Sequence, residues 1–167
     1  MCNVCTTPPM KIIDGQVCLV DEPDMFHYTE LHPKLQKFVE FTFNSAFTSE
    51  GISNQKIAAM ILYKNRPISI GFNSAKTHPL QAKFGKNEHA IHVHAEIDAI
   101  RKASNFLSES EFAKSTMIVV RATKRRNWGL ARPCLHVNKQ GCQSAINEYG
   151  IKKVIYSTSV NGMVSIL

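Results

Sequence analysis

The stretch from His94 to Cys142 constrains this chain more than any other, because its metal-binding side chains make sense only if the fold brings them to one point. His94-Ala95-Glu96 opens the stretch, and Pro133-Cys134 with Cys142 closes it. A neutral imidazole and two thiolates supply three of the four ligands of a tetrahedral zinc. That leaves one position open for water, as in a catalytic site. Glu96 stands two residues past the histidine, where a carboxylate reaches such a water without ligating the metal and so can shuttle protons. The chain must therefore bring a helix that starts after His94 up against a second one that starts at Cys142.

The elements around this stretch follow from periodicity. Leu31 to Thr48 carries apolar residues at helical spacing, with Pro33 in its first turn and Gly51 beyond its end. Lys56 to Tyr63 and Pro67 to Phe72 are apolar, β-branched runs on either side of a short polar turn, which predicts an antiparallel hairpin. A helix over Ala95 to Phe106 places Ile97, Ile100 and Ala103 toward the sheet and leaves His94 and Glu96 at its N-terminal end, where the helix dipole favours negative charge. Thr116 to Ala122 predicts a buried strand, Cys142 to Tyr149 a short helix and Lys152 to Ser157 another strand. Asn161-Gly162 leaves no room for a crossover helix before Met163 to Leu167, so the final strand is expected to run antiparallel.

At 167 residues the chain is long enough for one domain. We expect an N-terminal extension over residues 1–30, with a small ribbon around Asp14-Gly15, and the main domain over 31–167. Hydrophobic residues make up 44% and no apolar run reaches membrane-spanning length, which argues against an integral membrane protein. Met1 to Pro9 has neither the basic start nor the apolar stretch of a signal peptide. Five cysteines, an odd number, point to a reducing cytoplasm over a disulfide framework. Cys2 and Cys5, with Cys18 and His27 further on, are either a second, structural metal site or a reduced pair near a terminus.

The order His-x-Glu, Pro-Cys, Cys and the longer run His94-Ala95-Glu96-Ile97-Asp98-Ala99-Ile100 resemble the zinc-dependent nucleobase deaminases, and specifically the cytidine and deoxycytidylate deaminase superfamily. The likeness covers roughly residues 56–157. One departure is plain. The usual Pro-Cys-x-x-Cys would set its second cysteine at position 137, where this chain has Val137. Cys142 is the next cysteine and opens a helix, as the second ligand normally does. A longer insert of this kind also occurs in riboflavin-biosynthesis deaminases. His136, inside the insert, is the rival ligand.

This resemblance implies a three-layer α/β fold with a five-stranded mixed sheet flanked by helices, a bound Zn2+ and assembly as a homo-oligomer. It implies that Asn73, at the end of the hairpin, hydrogen-bonds the substrate sugar and that the Ala95 backbone orients the base. The antiparallel end resembles the free-nucleoside cytidine deaminases, and the general build resembles phage-encoded deaminases. Ser74 to His92 reads as a long polar connection holding Lys76, His78, Lys83, Lys86 and His89, and we expect it to cover the substrate, with Lys76 and His78 toward a phosphate.

A net charge of +7 agrees with phosphate-bearing partners and equally with a basic protein kept soluble by its charge. Lys124-Arg125-Arg126, Trp128 and Arg132 precede Cys134, and a basic loop carrying the only tryptophan is expected to hold a phosphate with Arg126 and stack a base on Trp128. The primary expectation is hydrolytic deamination of a cytosine nucleoside or nucleoside monophosphate. Deamination of single-stranded nucleic acid or tRNA, at cytosine or adenine, stays open, as does a catalytically dead zinc domain that binds a partner. Glu96 argues against the last, because a structural zinc needs no acid/base neighbour.

Overall fold

The structure, a computed structural model, describes residues 10–13, 16–19, 25–50, 52, 56–85, 92–136 and 140–167, with side chains from residue 25 onward. Strands β1 (Met10–Ile13) and β2 (Gln16–Leu19) form an antiparallel two-stranded sheet of their own, the ribbon expected from the sequence. The Asp14-Gly15 turn, Cys2 and Cys5 lie outside the described residues, as does the side chain of Cys18. His27 is engaged locally, its ring 2.7 Å from the Thr29 hydroxyl.

The second sheet holds the rest: β3 (Phe26–His27), β4 (Lys56–Tyr63), β5 (Arg66–Phe72), β6 (Thr116–Ala122), β7 (Trp128–Gly129), β8 (Lys153–Ser157) and β9 (Met163–Ile166). Its order is β3-β9-β8-β6-β4-β5, with β7 paired to the end of β6 beyond β8. Only β6 and β8 run parallel. The β8–β9 pair is antiparallel, as the tight Asn161-Gly162 turn requires. Five of these strands are the expected ones. The other two, β3 and β7, are two-residue edge strands, too short to leave an alternating pattern, and they raise the count from five to seven.

Side-chain alternation in β4 and β6 divides the core in two. Ala58, Met60, Leu62, Ile118, Val120 and Ala122 face helix α1 (Pro33–Thr48), which buries Val39, Phe43 and Ala46 against them. Ala59, Ile61, Met117 and Val119 face the other way, onto α3 (Ala95–Ala103) and α5 (Cys142–Glu148). A sheet covered on both faces has continuous apolar strands, and this is why MILY and MIVV read so strongly.

Two short helices complete the layers: α2 (Pro79–Phe84) and α4 (Glu109–Phe112). The expected helix from Ala95 stops at Ala103 instead of Phe106, and the chain turns through residues 104–106 before Ser108 and Glu111 form a capping box for α4. Among the described residues no helix is long and apolar enough to cross a membrane.

Candidate active site

Helix α3 lies unusually close to the hairpin. A methyl group added at Gly71 on β5 would sit 2.2 Å from the Ala99 nitrogen and 2.3 Å from the Ala95 oxygen. Only a residue without a side chain lets backbone approach backbone this far. The helix is also pinned by Asp98, whose carboxylate accepts the Phe72 N–H of β5 at 3.1 Å and pairs with Arg101 and Lys102. Burial pushes the Asp98 carboxyl upward, but the hydrogen bonds from Lys102, Arg101 and Phe72 outweigh it and hold the pKa below 3.8. These ties fix His94, the N-cap of α3, with respect to the sheet.

The described part of the polar connection before α3 holds regular structure. Ser74 and Val93 bridge its base, and α2 rises from it with His78 as N-cap, the His78 Nδ1 accepting the Leu80 N–H at 3.1 Å. Gln81 of α2 is buried, and its Oε1 accepts the His94 backbone N–H at 2.9 Å. Lys83 of the same helix pairs with Glu148 of α5, so α2 touches both of the helices that frame the site. Residues 86–91, with Lys86 and His89, lie outside the described residues.

The second half of the site is built by the cysteines themselves. At the start of α5 the Cys142 N–H lies 3.3 Å from Cys134 Sγ, and the Gln143 N–H donates to the Cys134 carbonyl at 3.1 Å. Cys134 thus accepts from the first two amides of α5 and acts as its cap. The chain reaches that point through Gly141, at φ +125°, where a side chain would collide with the Cys134 oxygen at 2.3 Å. The intervening loop is closed once more by the His136 N–H donating to the Gln140 carbonyl at 2.8 Å. Val137 lies outside the described residues.

These two halves bring His94, Cys134 and Cys142 together, their donor atoms all within 4.8 Å of one another. His94 Nδ1 is 3.2 Å from Cys142 Sγ and 3.6 Å from Cys134 Sγ. Zinc–sulfur bonds of about 2.3 Å and zinc–nitrogen bonds of about 2.0 Å give tetrahedral edges of roughly 3.5 Å, so the donor set fits a zinc ion in both chemistry and size. His136 is not part of this cluster. A hydrogen bond from Cys142, reinforced by His94, pulls the Cys134 thiol down to about 4, while that same bond and burial push Cys142 well up.

Glu96 is buried beside the cluster and hydrogen-bonds Cys142. Burial raises its pKa, opposed by His94, so its carboxyl is poised to hold a proton that an exposed glutamate would lose. Ala95, the first residue of α3, is wholly buried. Asn73 is buried at the end of β5, where its Oδ1 accepts the Ile57 N–H at 2.9 Å and its own N–H donates to the Ile57 carbonyl. Lys76 is exposed on the connection, its carbonyl holding the Val93 N–H.

Trp128 and Arg126 are not brought to this group. Strand β7 pairs Trp128 with Ala122, whose side chain faces α1, and the indole stacks between Tyr28 and Phe43 at 5.4 and 5.1 Å. Arg126 reaches Asn44 of α1 at 3.0 Å and lies over the Phe47 ring. Both stand on the sheet face opposite the cysteines, because the hairpin from β6 to β7 returns the chain onto the α1 side before it reaches Cys134. Gln81 is the site residue that the sequence did not reveal. Its available signal was His78-Pro79, an N-cap followed by a proline at N1, which marks a helix inside the connection.

A model of the cytidine and deoxycytidylate deaminase zinc-binding region matches residues 32–158. No curated protein matches the chain in sequence. Among solved structures, the dCMP deaminase of cyanophage S-TIM5 in complex with dCMP and dUMP is similar over 75% of this chain and 82% of its own, at 17% identity and a TM-score of 0.49. Acinetobacter baumannii RibD is similar over 74% of this chain at 21% identity and a TM-score of 0.47, and this chain spans 27% of its length. The Thermotoga maritima diaminohydroxyphosphoribosylaminopyrimidine deaminase/5-amino-6-(5-phosphoribosylamino)uracil reductase is similar over 74% of this chain and 29% of its own, at 21% identity and a TM-score of 0.46.

Proposed function

From the premise that the chain belongs to the cytidine and deoxycytidylate deaminase family, whose zinc-binding region it matches over residues 32–158, we propose that it hydrolyses the exocyclic amine of a cytosine nucleoside or nucleoside monophosphate. The observation that carries this reading is Glu96, a buried carboxyl of raised pKa placed against a cluster of His94, Cys134 and Cys142. A structural metal centre has no use for such a group.

His94, Cys134 and Cys142 would hold the zinc, and Zn2+ bound there would supply the Lewis acidity that brings the pKa of water toward neutrality. Glu96 takes a proton from the attacking water and passes it to ring nitrogen N3. The water oxygen adds to C4 of the base. Glu96 then carries the second water proton to the amino nitrogen, the C4–N bond breaks, and ammonia leaves a uracil carbonyl behind. Its burial suits both halves of this cycle, since burial raises its pKa and so makes the carboxylate a stronger base for the proton it carries between the two transfers. In this reading Asn73 and the backbone of Ala95 orient sugar and base, and Lys76 with His78 borders the entrance.

The nucleic-acid alternative rested on Trp128 and the basic run before it. With the indole stacked on Tyr28 and Phe43 and set on the α1 side of the sheet, away from the cysteines, that motive is weakened, and a small substrate is favoured. The test is a mass-spectrometric deamination panel of cytidine, deoxycytidine, their monophosphates, adenosine forms and single-stranded oligonucleotides, run beside Glu96→Ala. Turnover of a small cytosine substrate, falling about 10²- to 10⁴-fold in the variant while zinc is retained, is the expected result. Turnover of oligonucleotides alone, or silence across the panel with zinc bound, overturns it.

A further inference from the structure

We propose that Arg121 binds the phosphate of the substrate and so makes this enzyme selective for a nucleoside monophosphate, an inference that rests on the deaminase reading above. Arg121 is near the end of β6. The alternation that sends Met117 and Val119 onto α3 and α5 sends its side chain to the same face, the face of His94, Glu96 and the cysteines. Its sheet neighbours are Ile57 on β4 and Gly129 on β7. Ile57 is in turn bound by Asn73 at the end of β5, and the start of α3 lies over Gly71 on that strand. Arg121, Asn73 and the first turn of α3 therefore share one end and one face of the sheet, with β6 and β5 two strand spacings, about 10 Å, apart. A nucleotide laid across that end has its base at α3 and its phosphate toward β6.

The state of the guanidinium is what calls for an anion. The Arg121 stem lies across Gly129, where an added methyl would sit 3.0 to 3.4 Å from its Cδ, Cγ and Nε atoms. Its Nε is buried without a hydrogen-bond partner. Among the described residues no carboxylate pairs with it, in contrast to Lys83, Arg101 and Lys102. Burial lowers its pKa, and no neighbouring acid opposes that. Burying Nε without a partner is costly, and the half-exposed guanidinium keeps a planar fork of donors that matches the oxygens of a phosphate. Tyr156, wholly buried on the adjoining strand and on the same face, also has a hydroxyl without a partner, so this strip of the sheet presents two unanswered donors.

Arg121→Gln, checked for zinc content and thermal unfolding, separates this role from packing. Steady-state deamination of deoxycytidine monophosphate and cytidine monophosphate is compared with that of the two nucleosides. The ratio of kcat/KM for monophosphate over nucleoside is expected to fall about 10- to 100-fold, through KM, as the loss of a charge-assisted pair predicts. Should Arg121→Gln fail to fold, the same ratio is read on Arg121→Lys, which keeps a charge but not the fork and is expected to fall severalfold. An equal loss on all four substrates, or no loss, makes Arg121 a packing residue and overturns the proposal. Wild-type enzyme that turns over nucleosides but not monophosphates also overturns it while leaving the deaminase reading intact. Wild-type silence on all four overturns the deaminase reading itself, and this inference with it.

Discussion

The two helix starts that supply the metal ligands are held in different ways. Helix α3 is fastened to the sheet by the close approach at Gly71, by Asp98 reaching the β5 backbone, and by Gln81 on the His94 N–H. Its geometry is fixed without the ligand atoms taking part. At the first turn of helix α5 the amides of Cys142 and Gln143 are satisfied by Cys134 itself. There the ligands are also the structure. One half of the site is thus a platform fastened to the sheet and carrying the histidine and the acid, and the other is a clasp whose order is expected to depend on a bound metal.

The sharpest way to break this contrast is to remove the metal. With a chelator, or in Cys134→Ala, hydrogen exchange at the α5 amides is expected to speed up by about two orders of magnitude while α3 stays protected. Equal deprotection of both helices would mean that α3 also depends on zinc. Next in size is Gly71→Ala. A methyl at that point forces helix and strand apart and is expected to cost about 3 kcal/mol by denaturant unfolding, in the presence and absence of zinc alike. A cost that appeared only with zinc bound would tie α3 to the metal.

The smallest effect is the one that depends on pH. The Asp98 pKa is lowered in the folded chain, so its contribution is fully present above its ordinary value of 3.8 and is lost as the pH falls through the folded value. Asp98→Asn is therefore expected to cost about 1 kcal/mol near neutrality, with the difference from wild type closing in acid. A difference that did not change with pH would assign Asp98 a role in packing alone.

How much of this was legible in the sequence depended on whether a residue's role left a pattern. Strands β4 and β6, buried on both faces, read as apolar runs, the helix after His94 read from its periodicity, and the one opened by Cys142 from the place of the second cysteine in the family resemblance. The two-residue strands β3 and β7 and the single-turn α4 are too short for any period to show. Gln81 escaped because accepting one backbone N–H demands no neighbouring motif. Trp128 and Arg126 misled because proximity to Cys134 along the chain was taken for proximity in space. The Thr123–Asn127 turn, with Arg126 at φ +59°, folds β7 back beside β6 and sends the indole to the α1 side. Arg121, five residues before Arg126, stands on the other face of the sheet, because strand alternation, and not charge density, decides which side a cation on β6 takes.

The contact between the Cys134 carbonyl and the Gln143 amide has a consequence for how relatives of this chain are recognised. Because the clasp is closed at its base, the geometry of its two ligands does not require a fixed number of residues between the cysteines. A genome search that demands two intervening residues would discard this chain, although its ligand geometry is intact. A search keyed instead to a cysteine, a later glycine and an adjoining cysteine that opens a helix would retain it.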